Sequence, residues 1–148
     1  IIVSSVLMAF IVSYEGLTDT IYTAISSVTT NKYVFLLMLN VLLLILGMFL
    51  EGTAITVLLV PILVPVAAGF GINPIHLGVI FELNIMIGLL TPPMGLSLYL
   101  ISTVSGKTFA QVRKAVLPWL IPLLIALGVV TYWEDFVLLI PRLTGVIH

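Results

Sequence analysis

Hydrophobic positions in this chain gather into long unbroken runs and polar residues collect in the gaps. The runs cover residues 1–14, 34–50, 54–70, 74–105 and 115–140. None shows the alternation and turn spacing of a barrel strand, so each predicts a helix. The gap "EGLTDTIYTAISSVTTNK" has another pattern: Leu17, Ile21, Ala24, Ile25 and Val28 recur at helical spacing among polar residues. That predicts an amphipathic helix lying in a membrane interface. Runs 34–50 and 54–70 are joined by Glu-Gly-Thr alone, which predicts a helical hairpin with both ends on one side. The 74–105 run is interrupted by "TPPMG", and two adjacent prolines break a helix.

Composition identifies the solvent. Hydrophobic residues make up 61% of the chain and charged residues 7%, more apolar surface than one soluble core of 148 residues can hide. The expectation is an all-α membrane protein in the bilayer. A net charge of -1 gives no case for a nucleic-acid partner, and the lack of cysteine removes disulfides and thiolate metal sites. The chain opens on "IIVSSVLMAFIVSY" without a methionine or a basic flank, and the expectation is the C-terminal piece of something longer. Lys107, Arg113 and Lys114 cluster in "SGKTFAQVRKA", which the positive-inside rule places in the cytoplasm. Lys32 and Asn73 then lie on the outer side.

This orientation brings two interruptions together. At about 1.5 Å per residue the first hairpin arm reaches about 25 Å and the half-helix from Pro74 to Gly88 about 22 Å, against a hydrocarbon core of about 30 Å. Both start on one side, so the hairpin tip and the Thr-Pro-Pro break fall at similar depth. Pro92 and Pro93 lack an N–H, so the carbonyls of Gly88 and Leu89 are expected to lose their helical donors, and Thr91 leaves helical geometry. Such backbone is tolerated in a membrane where it lines a cavity, and carbonyls with a threonine hydroxyl suit Na⁺. At the tip, Gly47 and Met48 offer carbonyls, Thr53 an hydroxyl and Glu51 a carboxylate. Beyond the break, Gly95, Leu96 and Ser97 open a new half-helix whose free N–H groups favour an anion. A re-entrant hairpin followed by a broken helix is one half of the inverted-repeat transporter plan.

Other polar residues have structural readings. Glu51 can cap the second arm, while Glu82, inside the half-helix, must face protein or a cavity. Asn40 and Asn84 read as interhelical hydrogen-bonding residues or as substrate ligands. His76, just after Asn73 as cap and Pro74 at the first helical position, is expected at the interface, as are Trp119, Tyr132 and Trp133. No His-Glu-x-x-His, Gly-x-Ser-x-Gly or phosphate loop is present, which argues against an enzyme. A passive channel or an accessory membrane subunit is the alternative to a carrier.

The stretch "LGMFLEGTAITVLLVPILVPVAAGFGINPIHLGVIFELNIMIGLLTPPMGLSLYL" resembles the C-terminal half of the large membrane (M) subunit of TRAP (tripartite ATP-independent periplasmic) transporters. The resemblance runs over residues 31–143 and is most specific at the Gly-Met-Phe-Leu-acid tip and the Ile-Gly-Leu-x-Thr-Pro-Pro-x-Gly break. It implies an elevator-type, sodium-driven importer in the bacterial inner membrane, multi-pass, with a small membrane Q subunit and a periplasmic binding protein. The binding protein would deliver an organic acid of the C4-dicarboxylate or sialic-acid type. It implies one Na⁺ site on Gly47, Gly88, Thr91 and Met94, with Glu51, Thr53, Asn84, Gly95 and Ser97 serving substrate or gating. The family commonly has aspartate at the position of Glu51. Residues 1–33 would be a scaffold helix end and an arm helix, and residues 34–106 the moving hairpin and broken helix. Residues 107–148 would be the cytoplasmic loop and final helix, and the upstream half of the M subunit would supply the rest.

Overall fold

A computed structural model describes residues 16–145 and, before them, Leu7, Ile11 and Tyr14. The apolar run expected over residues 1–14 otherwise lies outside the described residues. All the described elements are helices: α1 Leu17–Val28, α2 Lys32–Phe49, α3 Gly52–Gly69, α4 Pro74–Leu90, α5 Leu96–Ser105, α6 Phe109–Tyr132 and α7 Glu134–Leu143. Helices α2, α3 and α6 are long and apolar enough to cross a membrane.

Local chemistry sets most of the boundaries. Asn31 caps α2 by accepting from the Tyr33 N–H, and Asn73 caps α4 by accepting from the Ile75 N–H, with Pro74 in the first turn where no donor is lost. Thr108 and Gln111 close a reciprocal capping box at the start of α6. Glycines in left-handed geometry end α5, at Gly106, and begin it, at Gly95. One boundary differs from expectation. The final run is two helices, because the chain turns at Trp133 (φ -112°, ψ 75°) and restarts as the short amphipathic α7. The broken run parts at residues 91–95 and resumes as a ten-residue half-helix ending at Ser105, as expected.

The hairpin arms scarcely touch each other. Helix α2 packs most extensively along α4, and α3 leans on α4 and on the amphipathic α1. One core joins the three long elements: Leu36, Leu39 and Leu43 of α2, Ile55 and Val66 of α3, and Ile80 and Ile85 of α4 are all buried. A smaller cluster of Ile87, Leu120 and Leu127 ties α4 to α6. Helix α1 docks against the base of α3. The Tyr22 ring lies where a side chain on Gly69 would stand, 2.5 Å from such a Cβ, and tilts against Phe70 at 5.3 Å.

A buried polar seam also fixes α6. Asn84 Nδ2 donates to Asn40 Oδ1 at 2.7 Å and to the Ile80 carbonyl at 2.7 Å, while Asn40 Nδ2 donates to Thr131 Oγ1 at 2.9 Å. His76 is buried near the Lys32 end of α4, where its Nε2–H donates to the Val130 carbonyl at 2.8 Å. Above the seam, the Lys32 ammonium pairs with Glu134 at 3.2 Å and joins α2 to α7. The ends expected on the outer side therefore do meet. Polar side chains in an apolar interior are costly unless bonded, so this seam specifies which face of α6 meets α2 and α4.

Candidate functional site at the hairpin tip and the proline break

The tip and the break converge on two glycines. A Cβ built on Gly88 would lie 2.7 Å from the Gly47 Cα and 2.9 Å from the Gly47 carbonyl carbon, and one on Gly47 would lie 3.1 Å from the Gly88 Cα. The backbones of α2 and α4 therefore touch with no room for a side chain, two residues before each helix ends. Gly52 at the tip approaches α4 as well, with its Cβ position 2.8 Å from Ile85 Cγ2. Small residues permit such approach between helices in a membrane.

At the break, the Thr91 hydroxyl donates to the Ile87 carbonyl at 2.7 Å, and the Thr91 N–H donates to the Gly88 carbonyl at 2.9 Å. The expectation that Gly88 loses its donor is corrected here: a tighter i to i+3 bond replaces the one that Pro92 cannot make. Leu89 differs, because its i+3 and i+4 positions are both proline. The hydroxyl proton of Thr91 is committed to Ile87, so its lone pairs remain available to a cation. Thr91 is half-buried, Gly47 and Gly88 are buried, and Met94 is exposed in the turn.

Beyond the turn, Gly95 is buried with φ +53°, and a Cβ there would meet the Thr91 carbonyl at 3.3 Å and the Leu98 side chain at 2.9 Å. Gly95 puts no side-chain cap on α5, and its carbonyl accepts from Leu98 and Tyr99. The amides of Leu96 and Ser97 at the first turn thus have no intrahelical acceptor, the condition for an anion-attracting end.

Glu51 is the N-cap of α3. Its carboxylate accepts from the Thr53 N–H at 3.0 Å, the Ala54 N–H at 3.1 Å and the Thr53 hydroxyl at 2.7 Å. In the loop between α2 and α3, these bonds hold the carboxyl below the usual carboxylate range, the Thr53 N–H first and its hydroxyl next. Beside this cap opens a cleft of about 330 Å³ lined by Glu51, Thr53, Thr56, Glu82 and Leu89 among others. Glu82 faces this cleft, as its position inside a membrane helix required.

The sequence-predicted residues therefore divide. Gly47 and Gly88 are brought into contact, with Thr91, Met94 and Gly95 following on the same turn, Ser97 opening α5, and Glu51 and Thr53 capping the tip next to α4. Asn84 stands apart from them: wholly buried, with its amide committed to Asn40 and Ile80, it belongs to the seam. Thr56 of the cleft was not singled out in the sequence. Its place one helical turn after Gly52, on the cap side, was the available signal.

A family model described as the tripartite ATP-independent periplasmic transporter, DctM component, matches residues 1–136. The chain belongs to this TRAP permease family. It is similar to the sialic acid TRAP transporter large permease protein SiaM of Vibrio cholerae, with 46% identity over 134 residues, 90% of this chain and 31% of that protein. It is also similar to the C4-dicarboxylate TRAP transporter large permease protein DctM of Pseudomonas aeruginosa, with 40% identity over 98% of this chain and 34% of that one. The isethionate TRAP transporter permease protein DctMQ of Oleidesulfovibrio alaskensis is 42% identical over 82% of this chain and 19% of its own length. The chain spans about a third of the large permeases it matches. Family membership and the three apolar helices make it a membrane permease component.

Proposed function

We propose that this chain is the C-terminal part of a TRAP transporter M subunit and contributes one cation site and one anion-binding helix end to sodium-coupled import of a small organic acid. The observation that carries this reading is the backbone contact between Gly47 and Gly88, which sets the hairpin tip against the helix that breaks at Thr91. Na⁺ would bind on Gly47, Gly88, Thr91 and Met94, through carbonyl oxygens and the free lone pairs of Thr91. The acid's carboxylate would dock at the amides of Leu96 and Ser97.

The charges near the break support this division of ligands. A cleft edged by Glu51 and Glu82 attracts cations and repels an organic acid, whereas the uncapped start of α5 does the reverse. Na⁺ would draw tip and break together and complete the anion site, so that each ligand biases the same closed state. In this reading Glu51 holds the tip as a cap and Gly95 sets the turn. Residues 34–106 form the moving part of one inverted-repeat half, the upstream half supplies the other, and motion follows the elevator scheme in the bacterial inner membrane. The partners are a small Q subunit and a periplasmic binding protein.

The test is reconstitution of the complete complex in proteoliposomes with a labelled organic acid, with and without a sodium gradient and with and without the binding protein. Saturable uptake that requires both is expected. Rapid, non-saturating flux down the acid's own gradient with neither would overturn the carrier reading and leave the break as a pore element.

A further inference from the structure

At the end of the molecule away from the Lys32–Glu134 pair, a groove of about 460 Å³ lies between α5 and α6. Its wall is aliphatic, formed by Ile101 of α5 and Val112, Ala115 and Val116 of α6, and Lys107 and Gln111 stand on its rim. We propose that this groove binds one anionic phospholipid, with the headgroup at Lys107 and an acyl chain along the Ile101–Val116 wall.

Charge selects the occupant. Lys107, Arg113 and Lys114 are three of the chain's five cations, and no acidic residue occurs between Glu82 and Glu134. Among the described residues none of the three cations has an ion-pair partner, although Lys32 and Arg142 are both paired. The start of α6 adds the positive end of a 24-residue helix at the same place. The rim is also fixed in position. Ser102 Oγ donates to the Lys107 carbonyl at 2.6 Å, the capping box follows at Thr108, and the Tyr99 and Phe109 rings stack at 4.4 Å across the two helices.

Apolar continuity selects the class. Beyond Val116 the same face of α6 continues through the exposed Trp119 and the half-buried Leu123 towards the middle of the helix, a path suited to a hydrocarbon chain. A partner protein at this rim would have to bring its own acid to answer the unpaired Lys107, with Arg113 and Lys114 adding positive charge on neighbouring faces of the same turn. An anionic lipid carries its phosphate at the depth of the loop, and basic pockets between helices on the cytoplasmic side take such headgroups.

The experiment uses the complete complex in nanodiscs, with bound lipid counted by native mass spectrometry during titration of phosphatidylglycerol into phosphatidylcholine. One phosphatidylglycerol retained per chain is expected. Lys107→Gln, in an exposed loop, should weaken retention about fivefold. Ala115→Trp, which fills the groove without changing charge, should abolish it while leaving retention at other sites unchanged. Should Ala115→Trp lower the melting temperature, Val116→Phe is measured in its place. Equal retention in the parent and the groove-filled variant would reduce the site to diffuse surface charge and overturn the proposal. So would quantitative disulfide cross-linking of Ala115→Cys to the partner membrane subunit, which would assign the groove to protein.

Discussion

Replacing Gly88 by alanine tests the contact on which the site depends. The added methyl would stand 2.7 Å from the Gly47 Cα, 2.9 Å from its carbonyl carbon and 3.3 Å from the Leu44 carbonyl oxygen. All three neighbours are backbone, so no side chain can rotate away. Ordinary contact begins at 3.4 Å, and the crossing must widen by about 0.7 Å at its tightest point. Overpacking of this kind costs about 1–3 kcal/mol. In the proposed carrier the strain would fall on the ion-bound state in which tip and break are closed, so half-maximal uptake should need about 5-fold to 150-fold more sodium. Gly47→Ala, whose methyl would stand 3.1 Å from the Gly88 Cα, should shift it in the same direction by less. Gly128→Ala, with nothing within 4 Å, should leave it unchanged. The assay is sodium-dependent uptake by the reconstituted complex, with thermal unfolding measured alongside. A Gly88→Ala transporter with parental sodium dependence would show that the closed crossing plays no part in ion binding.

Thr91→Val preserves shape and removes the oxygen whose proton is already committed to Ile87, so sodium demand should rise while the melting temperature holds, and an unchanged sodium curve would remove Thr91 from the site. Asn84→Leu breaks the seam and leaves Asn40 Oδ1 without its donor, at about 1–3 kcal/mol. It should lower thermal stability with little change in sodium affinity, and the opposite pattern would return Asn84 to the ligand set. If the hairpin is re-entrant from outside, a thiol introduced by Gly52→Cys should label poorly from both faces and be further protected by sodium with substrate. Labelling from the cytoplasm alone in every state would mean a full crossing.

What was legible in the sequence was whatever depends on neighbours along the chain. The caps at Asn31, Asn73 and Thr108 follow from a side-chain acceptor two or three residues before an amide that needs one. The break at Thr91 follows from two missing N–H groups, and the hairpin from a three-residue gap between apolar runs. The candidate site was legible to the same extent: Gly47, Gly88, Thr91 and Gly95 mark interruptions, and interruptions in a membrane helix need a reason. Tertiary structure decided which interruption meets which, and through which faces. Helix α4 is apolar nearly all round, so its sequence carries no strong stripe to say that Gly88 faces Gly47, that Asn84 faces Asn40 of α2, that His76 faces α6, or that Glu82 faces the cleft. In water the hydrophobic effect writes that stripe into a helix, because one side must stay wet. In a bilayer both lipid and protein accept apolar side chains, and orientation is left to close backbone contact and a few buried hydrogen bonds, which exist only once the helices have packed.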